Sequence, residues 1–152
     1  GLDAGASVTL NGLTWHGIPA AHNELARDEA GRWHYLGYLV EFEAGDRNCC
    51  IYHSGDTLWH DELVEALAPF DIDLAILPIN GNRPERRVAG NLWGDEAAEL
   101  AHQIGAELVV PCHFEMFEFN TEPPDLFERM CDKLHQPYRV LRCGERLIGP
   151  FD

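Results

Sequence analysis

Three short segments place side chains able to hold a divalent ion where an apolar run gives way to a polar loop. They are Ala20-Ala21-His22-Asn23, His53-Ser54-Gly55-Asp56-Thr57 and Val110-Pro111-Cys112-His113-Phe114. Neutral imidazoles and carboxylates are donors that zinc and similar ions accept, and sheet proteins place ligands at strand ends. His22 and Asp56 are 34 residues apart, and Asp56 and His113 are 57 apart. Such gaps exceed any local clip of the H-x-x-x-H kind, so only a fold can bring the three together. Spacing alone does not make a site, because a lone histidine at a strand end is more often a hydrogen-bonded structural residue.

The elements that must position these residues follow from hydrophobic period and turn chemistry. Ser7 to Leu10 and Leu13 to Ile18 flank Asn11-Gly12, the dipeptide of a type I′ hairpin. Tyr35 to Phe42 and Cys49 to Tyr52 bracket Gly45-Asp46 and read as a second hairpin. From Asp61 the period becomes helical through Leu63, Val64, Leu67 and Ala68 and ends at Pro69. Leu74 to Leu77 and Leu108 to Val110 are short continuous apolar runs, the pattern of strands buried on both faces. A helix is expected over about Asp95 to Gln103, stopped at Gly105. A third should start near Pro124, bury Leu126, Phe127, Met130 and Leu134, and expose Asp132 and Lys133. Tyr138 to Leu141 and Arg146 to Ile148, around Cys143-Gly144, predict a closing hairpin. This order predicts an α/β (α+β) chain, a mixed sheet with helices on one face, in a single domain over residues 1–152.

The chain carries 26 acidic residues against 11 Lys and Arg, a formal net charge of −15. That charge repels phosphate backbones and anionic lipid, and no basic stripe is present, so nucleic acid is disfavoured as a partner. Five cysteines, an odd number with no C-x-x-C, read as reduced and mostly buried. Gly1 to Leu10 lacks the regions of a signal peptide, and no apolar run approaches the roughly 18 residues of a spanning helix. A cytoplasmic, non-membrane protein is expected.

The segments Pro19 to His22, IYHSGDT from Ile51, LAILPINGNRP from Leu74, GNLWGDEAAELA from Gly90, VVPCHFEMFEFNTEPPDLF from Val109 and YRVLRCGER from Tyr138 together resemble the metallo-β-lactamase superfamily. The similarity is closest to its UlaG-like hydrolases, relatives of ascorbate-6-phosphate lactonase, and covers nearly the whole chain. The resemblance implies that His22 completes a first metal position, that Asp56 bridges both metals as the central catalytic carboxylate, and that His113 completes the second. It implies zinc or manganese as cofactor, with a bridging water attacking a carbonyl or phosphoryl centre. Family members also carry an upstream H-x-H-x-D-H motif supplying four of the seven usual ligand residues, and this sequence has none. The expectation is the C-terminal half of a four-layer αββα sandwich, truncated or split, holding little or no metal by itself because catalytic zinc normally takes three or more protein ligands.

Further candidates come from the loops. Arg83, Arg86 and Arg87, beside Asn80, are expected to grip an anionic substrate through guanidinium contacts, with a solvated loop as the equal alternative. Asn91 and Trp93 precede a helix whose free N–H groups can receive an anion. His53 reads as packing rather than as a substitute ligand. Cys112 should point away from His113 into the core. Met116, Phe117 and Phe119 border a pocket or pack.

Two function classes follow. One is a metal-dependent hydrolase of a small, anionic ester, lactone or phosphoester that needs ligands from an N-terminal half carried on another chain. The other is a non-catalytic interaction or scaffold protein that keeps the half-fold. Half a sandwich leaves an apolar sheet face uncovered, which predicts a homodimer or higher oligomer packed sheet against sheet. Solution scattering at micromolar concentration checks this, and a monodisperse monomer would contradict it.

Overall fold

The computed structural model describes residues 1–148. Strand β1 (Ser7–Leu10) turns through Asn11 and Gly12, both at positive φ (53° and 80°), into β2 (Leu13–Pro19). This is the double left-handed turn that Asn-Gly favours. β3 (Leu36–Ala44) and β4 (Arg47–His53) are joined by the two-residue turn Gly45-Asp46, so pairing runs out to Ala44 opposite Arg47. Both strands therefore extend beyond their apolar runs. β5 (Leu74–Pro78) and β6 (Leu108–Cys112) continue the sheet parallel to β4, reached through α1 (Glu62–Leu67) and α2 (Gly94–Gln103). The six strands lie in chain order, β1 to β6. A 3₁₀ turn (Pro84–Arg86) follows β5, and α3 (Asp125–Leu134) follows the loop after β6.

The register separates the two faces. Leu39, Tyr52, Ala75 and Val109 stand opposite one another across β3 to β6 and are all 0% exposed. They share one core cluster with Leu63 and Leu67 of α1, Ala97, Leu100 and Ala101 of α2, and Phe127 and Cys131 of α3. The neighbouring row, Val8, Trp15, Val40, Ile51, Leu74 and Leu108, crosses all six strands on the opposite face. Only Leu74 in it is fully buried, and Val8 is 49% exposed. Helices thus cover one face, as the element order predicts, and the other presents apolar side chains.

Two expectations are corrected. α3 buries Phe127 and Cys131, with Met130 and Leu134 half-buried and Leu126 36% exposed. Its rotation is set where α3 meets Gly94, at which a Cβ would lie 2.7 Å from the Phe127 nitrogen. The closing hairpin does not form among the described residues. Tyr138 instead bridges Val109 in parallel, with the Val109 amide donating to Pro137 O and the Arg139 amide to Val109 O. The exposed edge of β6 captures the first segment, leaving only a turn in which the Glu145 amide donates to Arg142 O.

One glycine seats the loop after β4. A Cβ at Gly37 of β3 would lie 2.7 Å from Ser54 O and 3.0 Å from His53 O, so the chain carrying Asp56 can cross β3 only where no side chain stands. Gly37→Ala is expected to destabilise the protein by about 1–3 kcal/mol in urea unfolding, the range for forcing a methyl into a packed site.

Candidate metal centre

His22, Asp56 and His113 come from three separate loops, and hydrogen bonds to buried backbone hold those loops together. The Ala21 amide donates to Thr57 Oγ1 (3.0 Å), and the Leu58 amide returns a bond to Ala21 O (2.9 Å). Thr57 is fully buried, donates its hydroxyl to Leu58 O (2.8 Å) and accepts the Leu92 amide at its carbonyl (2.9 Å). His60, also buried, bonds Pro19 O through Nε2 (3.2 Å), and burial holds its pKa below the ordinary histidine value. His22 is fixed beside Asp56 by these contacts. His113 leaves β6 in the left-handed region (φ 58°), a conformation uncommon for a residue with a Cβ and frequent at functional sites.

The three side chains meet at the ends of β2, β4 and β6. Asp56 Oδ2 lies 3.9 Å from His22 Nε2 and 3.6 Å from His113 Nε2. Exposure is 35% for His22, 43% for Asp56 and 19% for His113, so the centre opens to one side. One oxygen thus faces two imidazoles, as two pairs sharing an atom rather than three donors around a point. Among the described residues no group of three or more His, Cys, Asp or Glu is arranged to hold an ion. The donors are of the kind that zinc or manganese accepts, and their number falls short of a complete shell. His113 Nδ1 is buried without a partner among the described residues.

Nearby groups sort differently. His53 accepts the Gly55 amide at Nδ1 (3.0 Å), and burial lowers its pKa against the opposing pull of Asp56. Burial pushes the Cys112 thiol up to about 12. All five cysteines are unpaired.

The substrate candidates Asn80, Arg83 and Arg87 do not converge on one open surface. Asn80 is 0% exposed, donates Nδ2 to Asn120 Oδ1 (3.0 Å) and accepts Asn91 Nδ2 at Oδ1 (2.9 Å). Arg86 donates to Asn80 O, to Thr121 O (2.7 Å), to Asn120 Oδ1 (3.4 Å) and to the Glu122 carboxylate. Arg83 grips the same carboxylate and lies 5.2 Å from the Trp93 ring centre. Arg83 foremost holds the Glu122 carboxyl below its usual range. Arg87 caps the 3₁₀ turn at φ 56°, is exposed, and has no side-chain partner among the described residues. At α2, Glu96 Oε2 accepts the Trp93 amide (2.9 Å) and Asp95 Oδ1 the Glu96 amide (3.1 Å), so carboxylates of the helix occupy two of the N–H groups at the end suggested for an anion.

This network holds the loop after β6. Asn120, Thr121 and Glu122 are tied to the loop after β5, the Glu115 amide donates to Thr121 Oγ1 (2.8 Å), and the Ile79 amide donates to Cys112 O beside His113. Sequence reading missed Asn120, Glu122, Thr57 and the positioning role of His60. The available signal was the capacity of an acidic residue in the loop after β6 to neutralise the Arg83/Arg86 pair.

With this geometry established, comparison with known proteins places the chain. The profile of the beta-lactamase superfamily domain matches residues 1–114, and the chain belongs to that family. A UPF0173 metal-dependent hydrolase of Rubrobacter xylanophilus is 32% identical, the match covering 96% of this chain and 59% of that protein. One of Methanoculleus marisnigri is 27% identical over 98% of this chain and 64% of its own length. The solved structure of a metallo hydrolase from Ignicoccus hospitalis superposes with a TM-score of 0.72 at 22% identity, covering 97% of this chain and 59% of that one. The chain thus spans about three fifths of the proteins it matches. Among the described residues no helix is long and apolar enough to cross a membrane.

Arg86 can only donate, so Asn120 Oδ1 must accept, and Asn80 must donate to it while accepting from Asn91. Two isosteric changes test this polarity. Asn80→Asp sets an acceptor against an acceptor and should cost about 2 kcal/mol more than Asn120→Asp, which keeps both bonds and faces Arg86. Melting temperatures at pH 7 check the difference.

Proposed function

We propose that this chain supplies one side of a divalent-metal hydrolase centre. Asp56 stands between two metal positions, with His22 serving one and His113 the other, and the remaining ligands come from residues outside these 152. The observation that supports this reading is the single Asp56 oxygen facing both Nε2 atoms, at 3.9 and 3.6 Å. When bound, zinc or manganese supplies Lewis acidity and draws the pKa of water toward about 7. The chain's own residues orient that chemistry: Tyr35 packs on the His22 ring with centroids 5.0 Å apart, and the Thr57 bonds keep Asp56 in reach. The substrate class is a small ester, lactone or phosphoester, the UlaG-like motifs favouring a lactone. The unpaired thiols agree with a cytoplasmic setting.

The open apolar row from Val8 to Leu108 favours a second reading, in which the chain acts as a partner without chemistry. It also supports a role common to both readings. The bare face packs against another sheet, from a second copy or from a chain carrying the missing ligands.

Equilibrium dialysis against zinc or manganese, followed by metal analysis per chain, tests the centre. Weak binding is expected, with affinity falling about tenfold or more in Asp56→Ala. Binding that is unchanged in that variant would contradict the assignment.

A further inference from the structure

The centre is bracketed by aromatic rings on both sides. On the His22 side stands Tyr35, 40% exposed, its ring 5.0 Å from the imidazole. On the His113 side stands Phe117, 50% exposed and 6.5 Å from that imidazole, followed by Phe119, 60% exposed and 6.1 Å from Phe117. The contacts run without a break through Tyr35, His22, Asp56, His113, Phe117 and Phe119, so two apolar surfaces meet at one polar point. Met116, 64% exposed, widens the second surface.

The charges nearby have the wrong sign and the wrong commitments for an anion. Arg83 and Arg86, the cations tied to the loop after β6, are both spent on Glu122. Glu115 and Glu118 are interleaved with the rings in that loop and exposed. A phosphoryl or carboxylate group arriving beside Phe117 would meet repulsion from Glu115 and Glu118, with Arg83 and Arg86 already committed to Glu122.

Resting on the metal-hydrolase reading, we infer that the substrate is a neutral ester or lactone bearing an aromatic or long alkyl body, gripped between Tyr35 and the Phe117–Phe119 pair, and not a phosphoester. Ring-on-ring and ring-on-alkyl contact at the two rims orients the carbonyl over Asp56. The mixture of an apolar wall and one polar centre is the usual composition of a small-molecule site.

The test is ligand binding to the metal-free chain, so that it does not depend on metal uptake. γ-Phenyl-γ-butyrolactone and glycerol 3-phosphate are titrated separately while Tyr35, Phe117 and Phe119 ring signals are followed by NMR. Saturable shifts of all three rings with the lactone, none with the phosphate, and binding weakened about fivefold or more in Phe117→Ala/Phe119→Ala are expected. These rings are exposed, so the variant keeps the core intact, which circular dichroism verifies. Saturable binding of the phosphate, or lactone binding that ignores the double variant, overturns the assignment. So does the absence of any shift. Failure of the metal reading shows separately, as unchanged zinc uptake in Asp56→Ala.

Discussion

Everything at the candidate centre depends on Thr57. Its side chain accepts from Ala21 and its carbonyl accepts from Leu92, so one buried residue joins the segment after β2, the loop after β4 and the approach to α2. A buried hydrogen bond of this kind contributes about 1 kcal/mol when made, and leaving the Ala21 amide without its acceptor would cost about 1–3 kcal/mol. That asymmetry gives the loops a definite arrangement, since a slip of either segment strands buried donors. Gly37 supplies the other half of the constraint by clearing the path for Ser54 and its neighbours across β3. Asp56 is thus exposed at its carboxylate and rigid at its backbone, the combination that a preorganised ligand needs.

The second support is electrostatic. A chain of net charge −15 has few cations to place, and two of its 11 Lys and Arg are spent on Glu122. Arg86 has a side-chain exposure of 9%, which is costly for a charge unless every donor is used. Its bonds to Asn80 O, Thr121 O, Asn120 Oδ1 and Glu122 meet that requirement. The expense is understandable if the loop after β6 must be held so that His113 faces Asp56. An arginine that looks from sequence like a substrate clamp acts here as an internal strut.

Strand positions were legible because they rest on local signals: Asn11-Gly12 and Gly45-Asp46 at the turns, and unbroken apolar runs at β5 and β6. The one-sided helix cover followed from the element order alone. What was not legible depended on distant partners. Asn80 and Asn120 are 40 residues apart, and Arg83 and Glu122 are 39 apart. Tyr138 joins Val109 because β6 offers an open edge, a fact about the sheet that the segment's own hairpin pattern cannot contain. The phase of α3 was read correctly at Phe127, Asp132 and Lys133, while Leu126 stands at the edge of the buried face and Cys131 takes its place in the core. For the centre itself, residue types and loop positions nominate His22, Asp56 and His113, whereas the shared oxygen between them is a property of the three loops packed together.

The two faces of the sheet play different parts at the proposed centre. On the helix side the core closes upon itself, from Leu39 and Tyr52 through Leu67 and Leu100 to Phe127, all at 0% exposure. The centre, by contrast, sits at the strand ends, where His53, level with Ile76 in the sheet, accepts the Gly55 amide next to Asp56. A layer laid on Val8, Trp15, Val40 and Ile51 would bury apolar surface and bring its own strand ends or loops toward Asp56 in the same step. On the proposed function, covering the apolar row and completing the ligand shell would be one geometric event.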